Sequence, residues 1–189
     1  AFCESIGVDK IVAPMIESRF ALSKFIESVT DVSNIKFYIN IESHQAQSNI
    51  EEILDSPSSK LLSGIVLGRS DMIKSYGLSK SNVEGYMMDN TVEKVFKEAK
   101  KYSFNTIMGG NLSPKSNNII QRLYKENLLN FIETRNVIIK LNNKNIKSVT
   151  SVIKSSLLFE SKWLQYKANQ YNKIGKEYTD RSRLILDRL

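Results

Sequence analysis

Two acidic residues, Glu42 and Asp71, each follow a short apolar run of the sequence. Apolar runs of four to six residues are typical of strands that are buried on both faces. If the two runs form neighbouring parallel strands, their carboxyl ends meet and the two carboxylates can share one divalent cation. Mg²⁺ and Mn²⁺ prefer oxygen ligands, and they accept few protein ligands with several positions left open. The spacing therefore predicts a divalent-metal site at Glu42 and Asp71.

The turn that carries Asp71 has a composition that suits anion binding. It reads Gly68-Arg69-Ser70-Asp71 directly after an apolar run. Glycine permits a tight turn and a close approach of a ligand to the backbone. The N–H groups of the residues that follow can then point into the site, where they suit a carboxylate. We therefore predict that Gly68, Ser70 and Asp71 contact a substrate carboxylate.

The elements that position these residues alternate between strand and helix patterns. Helical spacing of apolar residues fills the intervals between the short apolar runs. Such alternation predicts an α/β fold with a parallel sheet or barrel, whose functional groups gather at the C-terminal ends of the strands. The five predicted strands are Ile11–Ile16, Phe37–Ile41, Gly64–Leu67, Asn105–Met108 and Asn136–Leu141.

The pattern changes after Leu141, and helical spacing extends from there to the end of the chain. Large residues recur every seven positions, and a small residue stands four positions after each of the first four. This seam favours close helix packing against the body or another subunit, with a bend or break at Gly175 because glycine weakens a helix. The large residues are Leu157, Leu164, Tyr171, Tyr178 and Ile185, and the small ones are Ser161, Ala168, Gly175 and Ser182.

The net charge of +7 is concentrated in this C-terminal segment. Residues 1–142 hold 17 basic and 16 acidic residues, whereas residues 143–189 hold 10 and 4. The basic segment either binds nucleic acid or an acidic surface, or is a solvated helical face. The apolar runs are shorter than the roughly 18 residues of a membrane span, and no signal peptide opens the chain. A single cysteine, Cys3, predicts a reducing cytoplasm.

Three stretches of the sequence carry a resemblance to a known family: "IVAPMIESRFAL", "INIESHQAQSNIEEIL" and "GIVLGRSDMIKSYG". In order, they resemble a strand that ends in Pro-Met, the strand with the first metal-binding Glu, and the strand and loop with the metal-binding Asp. The family is that of the HpcH/HpaI aldolases and citrate lyase beta subunits, the pyruvate- or phosphoenolpyruvate-binding TIM barrels. "NTIMGGNLSP" also resembles the Gly-Gly loop near the end of that barrel.

The resemblance implies a divalent-metal-dependent carbon–carbon lyase, an aldolase that acts on pyruvate-type 2-keto acids through a metal-stabilised enolate. It places Glu42 and Asp71 on the metal ligands and implies Mg²⁺ or Mn²⁺ as the cofactor. Asn40 falls where the family often has an amide side chain beside the substrate, so we predict a catalytic role for it. Arg69 stands where the family usually has Pro. It is either a second catalytic candidate, as a positive group for an anionic substrate, or a surface side chain.

The implied fold is a (β/α) TIM-barrel type of which only the C-terminal five βα units are present, because five strands cannot close an eight-stranded barrel. The first recognisable strand resembles about the fourth of the family's eight, and the family's substrate-binding Arg and its His base lie in the strands before it. We therefore expect residues 1–142 to be a partial (β/α) barrel catalytic domain, from a longer protein, a fragment or a variant completed by other elements. Residues 143–189 are then a C-terminal helical extension.

Two other interpretations of the sequence stay open beside this one. The first is an acyl-CoA lyase of the citrate lyase beta type. The second is a non-catalytic assembly or nucleic-acid-binding module that uses the basic C-terminal helix. As a lyase the protein is expected to bind a small anionic keto acid, to form a homo-oligomer, and to have neither a nucleic-acid nor a membrane partner. Glu17 repeats the Ile-Glu-Ser tripeptide of Glu42 and is predicted only to shape the mouth of the site, and His44 is predicted to begin an outer helix.

Overall fold

A six-stranded mixed sheet forms the centre of the structure, a computed structural model that describes residues 2–29 and 34–189. Its strands lie side by side in chain order. The first five run parallel, and the sixth runs antiparallel to the fifth. The strands are β1 (Lys10–Ala13), β2 (Lys36–Ile41), β3 (Leu62–Gly68), β4 (Asn105–Gly109), β5 (Phe131–Glu133) and β6 (Ile138–Lys140).

Helices form the connections between the parallel strands, as parallel pairing requires. Their apolar sides and one face of the sheet enclose the main core, which includes Leu22, Ile39, Ile65 and Phe96. The helices of the described residues are α1 (Phe2–Ser5), α2 (Arg19–Val29), α3 (His44–Ser48), α4 (Ile50–Leu54), α5 (Arg69–Ser75), α6 (Tyr86–Lys101), α7 (Asn117–Lys125) and α8 (Val149–Leu186). Short 3₁₀ turns occupy Pro57–Leu61, Lys80–Glu84, Pro114–Ser116 and Asn145–Ser148.

The opposite face of the sheet carries a second, smaller cluster. Tyr38, Val66 and Ile107 are almost completely buried there, and Phe131 packs against them. In a closed (β/α) barrel this face is the interior, where side chains of neighbouring strands stack in layers. The curled sheet with helices on its outer face is therefore a partial (β/α) barrel, which confirms the predicted α/β fold class.

The structure differs from the sequence-based expectation at the fifth strand. The fifth parallel strand is β5, whereas the predicted strand Asn136–Leu141 contains β6, which returns antiparallel along the outer edge of β5. A short turn joins the two strands, closed by the hydrogen bond from Thr134 N to Val137 O at 2.9 Å. β5 has only three residues, and the polar Asn130 interrupts its apolar run. The sequence signal for a buried strand is correspondingly weak there.

The C-terminal helix α8 is continuous over 38 residues. Its first turns pack on the main core through Val149 and Ile153, whereas every residue from Ser161 onward is exposed. The break considered at Gly175 is wrong, since the helix runs through that position to Leu186. A single exposed glycine costs a helix only about 1 kcal/mol, which strong helix formers on both sides offset. None of the helices in the described ranges combines the length and the apolar character that crossing a bilayer demands.

Candidate metal and substrate site

The sequence Ile-Glu-Ser occurs three times in the chain, and the copy at residues 26–28 lies inside α2. The other two copies lie before helices: the first, residues 16–18, lies between β1 and α2, and the second, residues 41–43, begins at the last residue of β2 and directly precedes α3. Ser18 Oγ accepts a hydrogen bond from Ala21 N, and Ser43 Oγ accepts one from Ala46 N, both at 3.1 Å. A serine that accepts from a backbone N–H in the first turn stabilises the start of a helix. At both positions the serine therefore stabilises the start of a helix, and the glutamate before it lies after the C-terminal end of a strand.

Glu17, in the first copy, braces the neighbouring junction. Its Oε1 accepts a hydrogen bond from Ser43 Oγ at 2.5 Å, and its main-chain O accepts one from Asn49 Nδ2 at 2.8 Å. Both partners belong to the segment that carries the second copy. Glu17 therefore joins the segment after β1 to the segment after β2. Its predicted role in shaping the mouth of the site stays a prediction.

Glu42, in the second copy, is buried and held in one orientation. Only 7% of the residue is exposed. Its Oε1 accepts from Met15 N at 3.0 Å, and its Oε2 accepts from Asn40 Nδ2 at 2.6 Å. Burial raises the pKa of the Glu42 carboxyl, and the nearby charge of Asp71 raises it further, while the hydrogen bond from Met15 N lowers it. A buried carboxylate near a second negative charge is the environment that a bound cation would stabilise.

An unpartnered oxygen lies beside Glu42. Asn40 Oδ1 is the one buried side-chain N or O atom of the described residues that has no hydrogen-bond partner. A Cβ atom on Gly68 would lie 3.0 Å from Glu42 Oε2 and 3.3 Å from Asn40 Oδ1. The absence of a side chain at Gly68 therefore keeps the space beside both oxygens open. Buried acceptors are normally satisfied, so this oxygen pair has the donor chemistry that a hard divalent cation or a substrate hydroxyl requires.

Asp71 and Ser70 lie in the first turn of α5, directly after β3. The Asp71 side chain is 55% exposed, and its Oδ1 accepts from Lys74 Nζ at 2.7 Å. The charge of Asp71 is one cause of the raised pKa of Glu42, and the two residues follow the C-terminal ends of neighbouring strands, β2 and β3. That they bind one metal ion stays a prediction. Within residues 2–29 and 34–189, no three His, Cys, Asp or Glu side chains group as a metal site. The Glu42 and Asp71 pair is thus a two-carboxylate arrangement, of the kind that leaves positions open for water and substrate.

Arg69 is fully buried (0% exposed), so it is not the surface side chain considered as an alternative. Its Nη1 pairs with Glu84 Oε2 at 3.3 Å, its Nη2 donates to Ser116 Oγ at 3.1 Å, and its Nε donates to Gly109 O at 3.3 Å. Burial lowers the pKa of Arg69, and the charge of Glu84 opposes that change. The guanidinium joins the ends of β3 and β4 to the segments before α6 and α7. Its catalytic role stays a prediction.

Glu133 is a carboxylate of the same edge that the sequence reasoning missed. It ends β5, and burial, together with the charge of Glu42, raises its pKa. A Cβ atom on Gly109 would lie 2.6 Å from Glu133 Oε1. The sequence offered one indication of this residue, because Ile132-Glu133-Thr134 resembles the Ile-Glu-Ser tripeptides that contain Glu17 and Glu42. Since the fifth strand was predicted at residues 136–141, Glu133 was not recognised as the end of a strand.

A cleft of about 550 Å³ adjoins Asp71 and Glu133. Ser70 and the Gly110 backbone form part of its wall, and Lys74, Lys80 and Arg135 add three basic side chains. His44, by contrast, begins α3, is exposed, and donates its main-chain N–H to Ser75 Oγ at 2.8 Å. The cleft therefore extends the edge where the predicted ligands meet, and its size and polarity suit a small anionic molecule.

Solved structures with the same fold share little sequence with this chain. The citrate synthase SbnG superposes with a TM-score of 0.56 at 14% identity, over 84% of this chain and 66% of that one. RipC from Yersinia pestis gives 0.53 at 15%, over 77% and 63%. A citrate lyase beta subunit from M. tuberculosis, complexed with oxaloacetate and magnesium, gives 0.52 at 12%, over 68% and 56%. The chain thus spans less than two thirds of the length of each.

A comparison with curated protein sequences gives no match. A model of the HpcH/HpaI aldolase/citrate lyase family, however, matches residues 3–117, which is more than half of the chain. The matched range includes β1 to β4, with Asn40, Glu42 and the turn from Gly68 to Asp71. The protein therefore belongs to the HpcH/HpaI aldolase/citrate lyase family.

Proposed function

We propose that the protein is a divalent-metal-dependent lyase that cleaves a carbon–carbon bond next to a pyruvate-type 2-keto acid. One observation carries the proposal: buried Glu42 lies beside the unpartnered Oδ1 of Asn40 and within electrostatic reach of Asp71. Negative and acceptor groups of this kind are costly to bury without a cation or a donor. A bound metal ion would offset that cost, and the chain belongs to a family of aldolases and lyases.

The residues that would hold the metal are Glu42 and Asp71, with Mg²⁺ or Mn²⁺ as the cation. Their oxygen donors suit hard cations, and the related M. tuberculosis subunit was crystallised with magnesium. When bound, such a cation supplies Lewis acidity, which stabilises negative charge that develops on a keto acid as its carbon–carbon bond breaks.

The surrounding residues would orient the carboxylate and admit the substrate. The hydrogen bonds from Met15 N and Asn40 Nδ2 fix both oxygens of Glu42, so little reorganisation is needed during the reaction. Asn40 Oδ1 faces the space that Gly68 leaves open, where it would accept a hydrogen bond from the substrate. Ser70 and Asp71, at the wall of the cleft, would contact the substrate carboxylate. The cleft would take the other half of the molecule.

The proposal is tested by pyruvate release from a 4-hydroxy-2-keto acid, measured with Mg²⁺, with Mn²⁺ and after chelation. We expect release to require the metal and to fall by about 10²-fold or more in Glu42→Gln and in Asp71→Asn, because each loses a ligand. Glu17→Gln is the matched control, since it changes the same tripeptide at the neighbouring strand and its amide oxygen can still accept from Ser43. Metal-dependent release that survives in a Glu42→Ala, Asp71→Ala double variant would exclude the proposal.

Two alternatives give different results in the same preparation. Turnover of an acyl-CoA thioester without release of pyruvate would favour the citrate lyase beta type of reaction. The non-catalytic alternative is favoured by one observation, the exposure of the whole basic segment of α8 from Ser161 onward. It predicts salt-dependent binding of DNA or RNA that deletion of residues 143–189 abolishes.

A further inference from the structure

We propose that Glu133 is the residue that exchanges a proton with the substrate in the lyase reaction, an inference that rests on the proposed function. It concerns a carboxylate for which neither the family pattern nor the predicted ligand set accounts.

Two glycines at paired positions separate Glu42 from Glu133. Gly68 at the end of β3 and Gly109 at the end of β4 are register partners in the sheet. A Cβ atom on Gly68 would meet Glu42 Oε2 at 3.0 Å, and one on Gly109 would meet Glu133 Oε1 at 2.6 Å. The carboxylate of Glu42, directly after β2, and that of Glu133, at the end of β5, therefore occupy the space that side chains at Gly68 and Gly109 would fill. A small keto acid bound at this edge of the sheet would meet both carboxylates.

The Glu133 carboxyl forms no hydrogen bond and no ion pair with any of the described residues. By contrast, Glu42 accepts hydrogen bonds from Met15 N and Asn40 Nδ2, and Asp71 pairs with Lys74. It also forms part of the wall of the cleft that contains Asp71 and Ser70. Its pKa is raised mainly by burial, and such a shift brings a carboxyl closer to the pKa that proton transfer near neutral pH favours.

Glu133 is a separate group from the predicted ligands. The described residues contain no set of three acidic, His or Cys side chains grouped for a metal, so Glu133 does not complete a ligand set with Glu42 and Asp71. His44, the single histidine of the chain, is exposed and lies at the start of α3, beside Tyr76. Of the titratable side chains at this edge in the described structure, Glu133 is the one that is both partly buried and without a partner.

The proton balance of the cleavage needs a single carboxylate. Glu133 as a carboxylate would accept the proton of the substrate's 4-hydroxyl group as the bond between C3 and C4 breaks. The electron pair of that bond passes to C3 of the keto-acid half, and the other half leaves as an aldehyde. Glu133 would then return the same proton to C3, which gives pyruvate and restores the carboxylate. No further reactant is consumed.

The experiment measures only the second proton transfer, the one between Glu133 and C3. Pyruvate is incubated with the protein and Mg²⁺ in D₂O, and NMR follows the exchange of its methyl protons. We expect Glu133→Gln to slow exchange by about 10²-fold or more, as the loss of a general acid–base group does, and Glu133→Asp to retain part of the rate. Mn²⁺ binding, measured by EPR, should persist in Glu133→Gln and be lost in Glu42→Gln.

The outcomes separate this inference from the proposed function. Exchange in the wild type that stays within about tenfold in Glu133→Gln would overturn the role of Glu133 and leave the lyase intact. Loss of Mn²⁺ binding in Glu133→Gln, to the extent seen in Glu42→Gln, would make Glu133 a ligand and would also overturn it. A wild type that neither exchanges nor releases pyruvate would overturn the proposed function, and the role of Glu133 with it. Glu17→Gln is again the control, and its exchange rate should match that of the wild type.

Discussion

Arg69 carries a full charge into a position with no solvent exposure, where its three nitrogens all donate to protein groups. Glu84, its charge partner, also accepts from Ser116 Oγ at 2.6 Å. Removal of one member of such a pair leaves the other without compensation. We therefore expect Arg69→Met to lower the free energy of unfolding by about 3 kcal/mol, as measured by urea denaturation.

A double variant distinguishes this structural role from the predicted catalytic one. Arg69→Met combined with Glu84→Gln removes both charges, and we expect it to recover part of the lost stability. Pyruvate release by the recovered double variant would show that the guanidinium acts through folding. A folded double variant without activity would instead support Arg69 as a catalytic residue. Equal stability of Arg69→Met and the wild type would contradict the ion pair itself.

Among single residues, the sequence identified those that follow the end of a predicted strand. Glu42 and Asp71 were predictable at neighbouring strand ends because each follows a short apolar run. The different surroundings of Glu17, Glu42 and Glu133 were not predictable, since nearly the same tripeptide precedes all three helices or turns. What separates them is contacts between residues distant in the chain: Ser43 Oγ donates to Glu17, Met15 N donates to Glu42, and Glu133 lies over Gly109 with no donor among the described residues.

The loop after β4 approaches the start of α5 more closely than a side chain would allow. Gly110 has φ +80°, and a Cβ atom there would lie 2.5 Å from Ser70 N. Gly77 has a similar φ of +72° but nothing within 4 Å of a Cβ atom. Gly77→Ala should therefore cost only the left-handed backbone penalty of about 1 kcal/mol. Gly110→Ala should cost about 1–3 kcal/mol more, because backbone atoms must move.

The two alanine variants are compared by urea denaturation and by pyruvate release. We expect Gly110→Ala to lose activity as well as stability, since the displaced atoms belong to Arg69 and to Ser70, which lines the cleft. Gly77→Ala should remain active. If both variants lost the same stability, the close contact between the β4 loop and α5 would not exist in solution.

The elements were predictable where they are long and apolar. The sequence located β1 to β4 to within a few residues, because buried strands combine continuous apolar runs with turn signals on either side. It placed the fifth strand wrongly, because β5 has three residues and the segment around it is held by partners distant in the chain. Asn130, directly before β5, accepts at its Oδ1 from Lys100 Nζ and Thr106 N. Likewise, α8 continues through Gly175 because the helix formers on both sides offset the cost of one glycine.

The molecule as a whole has a packed part and an extended part. The core includes Val149 and Ile153 of α8, beyond the predicted boundary at residue 142, whereas the same helix is exposed at every residue from Ser161 onward. The boundary between a catalytic domain of residues 1–142 and an extension of residues 143–189 stays a prediction. The seam of large and small residues was visible in the sequence. Whether the seam packs against the body or against another subunit was not predictable, because that depends on which of its residues the fold leaves exposed.

The exposed seam of α8 leads to the last prediction, that the protein is a homo-oligomer held by this helix. Four large residues of the seam lie on the exposed part with more than half of their surface accessible to solvent, and exposed apolar stripes of this length favour association. We expect sedimentation velocity to give a mass above one chain for the wild type, and a mass of one chain after glutamine replaces three of them. The four residues are Leu164, Tyr171, Tyr178 and Ile185.

A matched variant on the other side of the helix tests whether the seam itself is responsible. Positions two residues further along lie about 200° around an α-helix, so they face away from the seam. Three substitutions at those positions leave the length of the helix unchanged and replace the same number of large or charged side chains. We expect the mass of this control to equal that of the wild type. A wild-type mass of one chain, or equal masses for both variants, would contradict assembly through this face. The seam variant is Leu164→Gln, Tyr171→Gln and Tyr178→Gln, and the control is Tyr166→Gln, Lys173→Gln and Asp180→Asn.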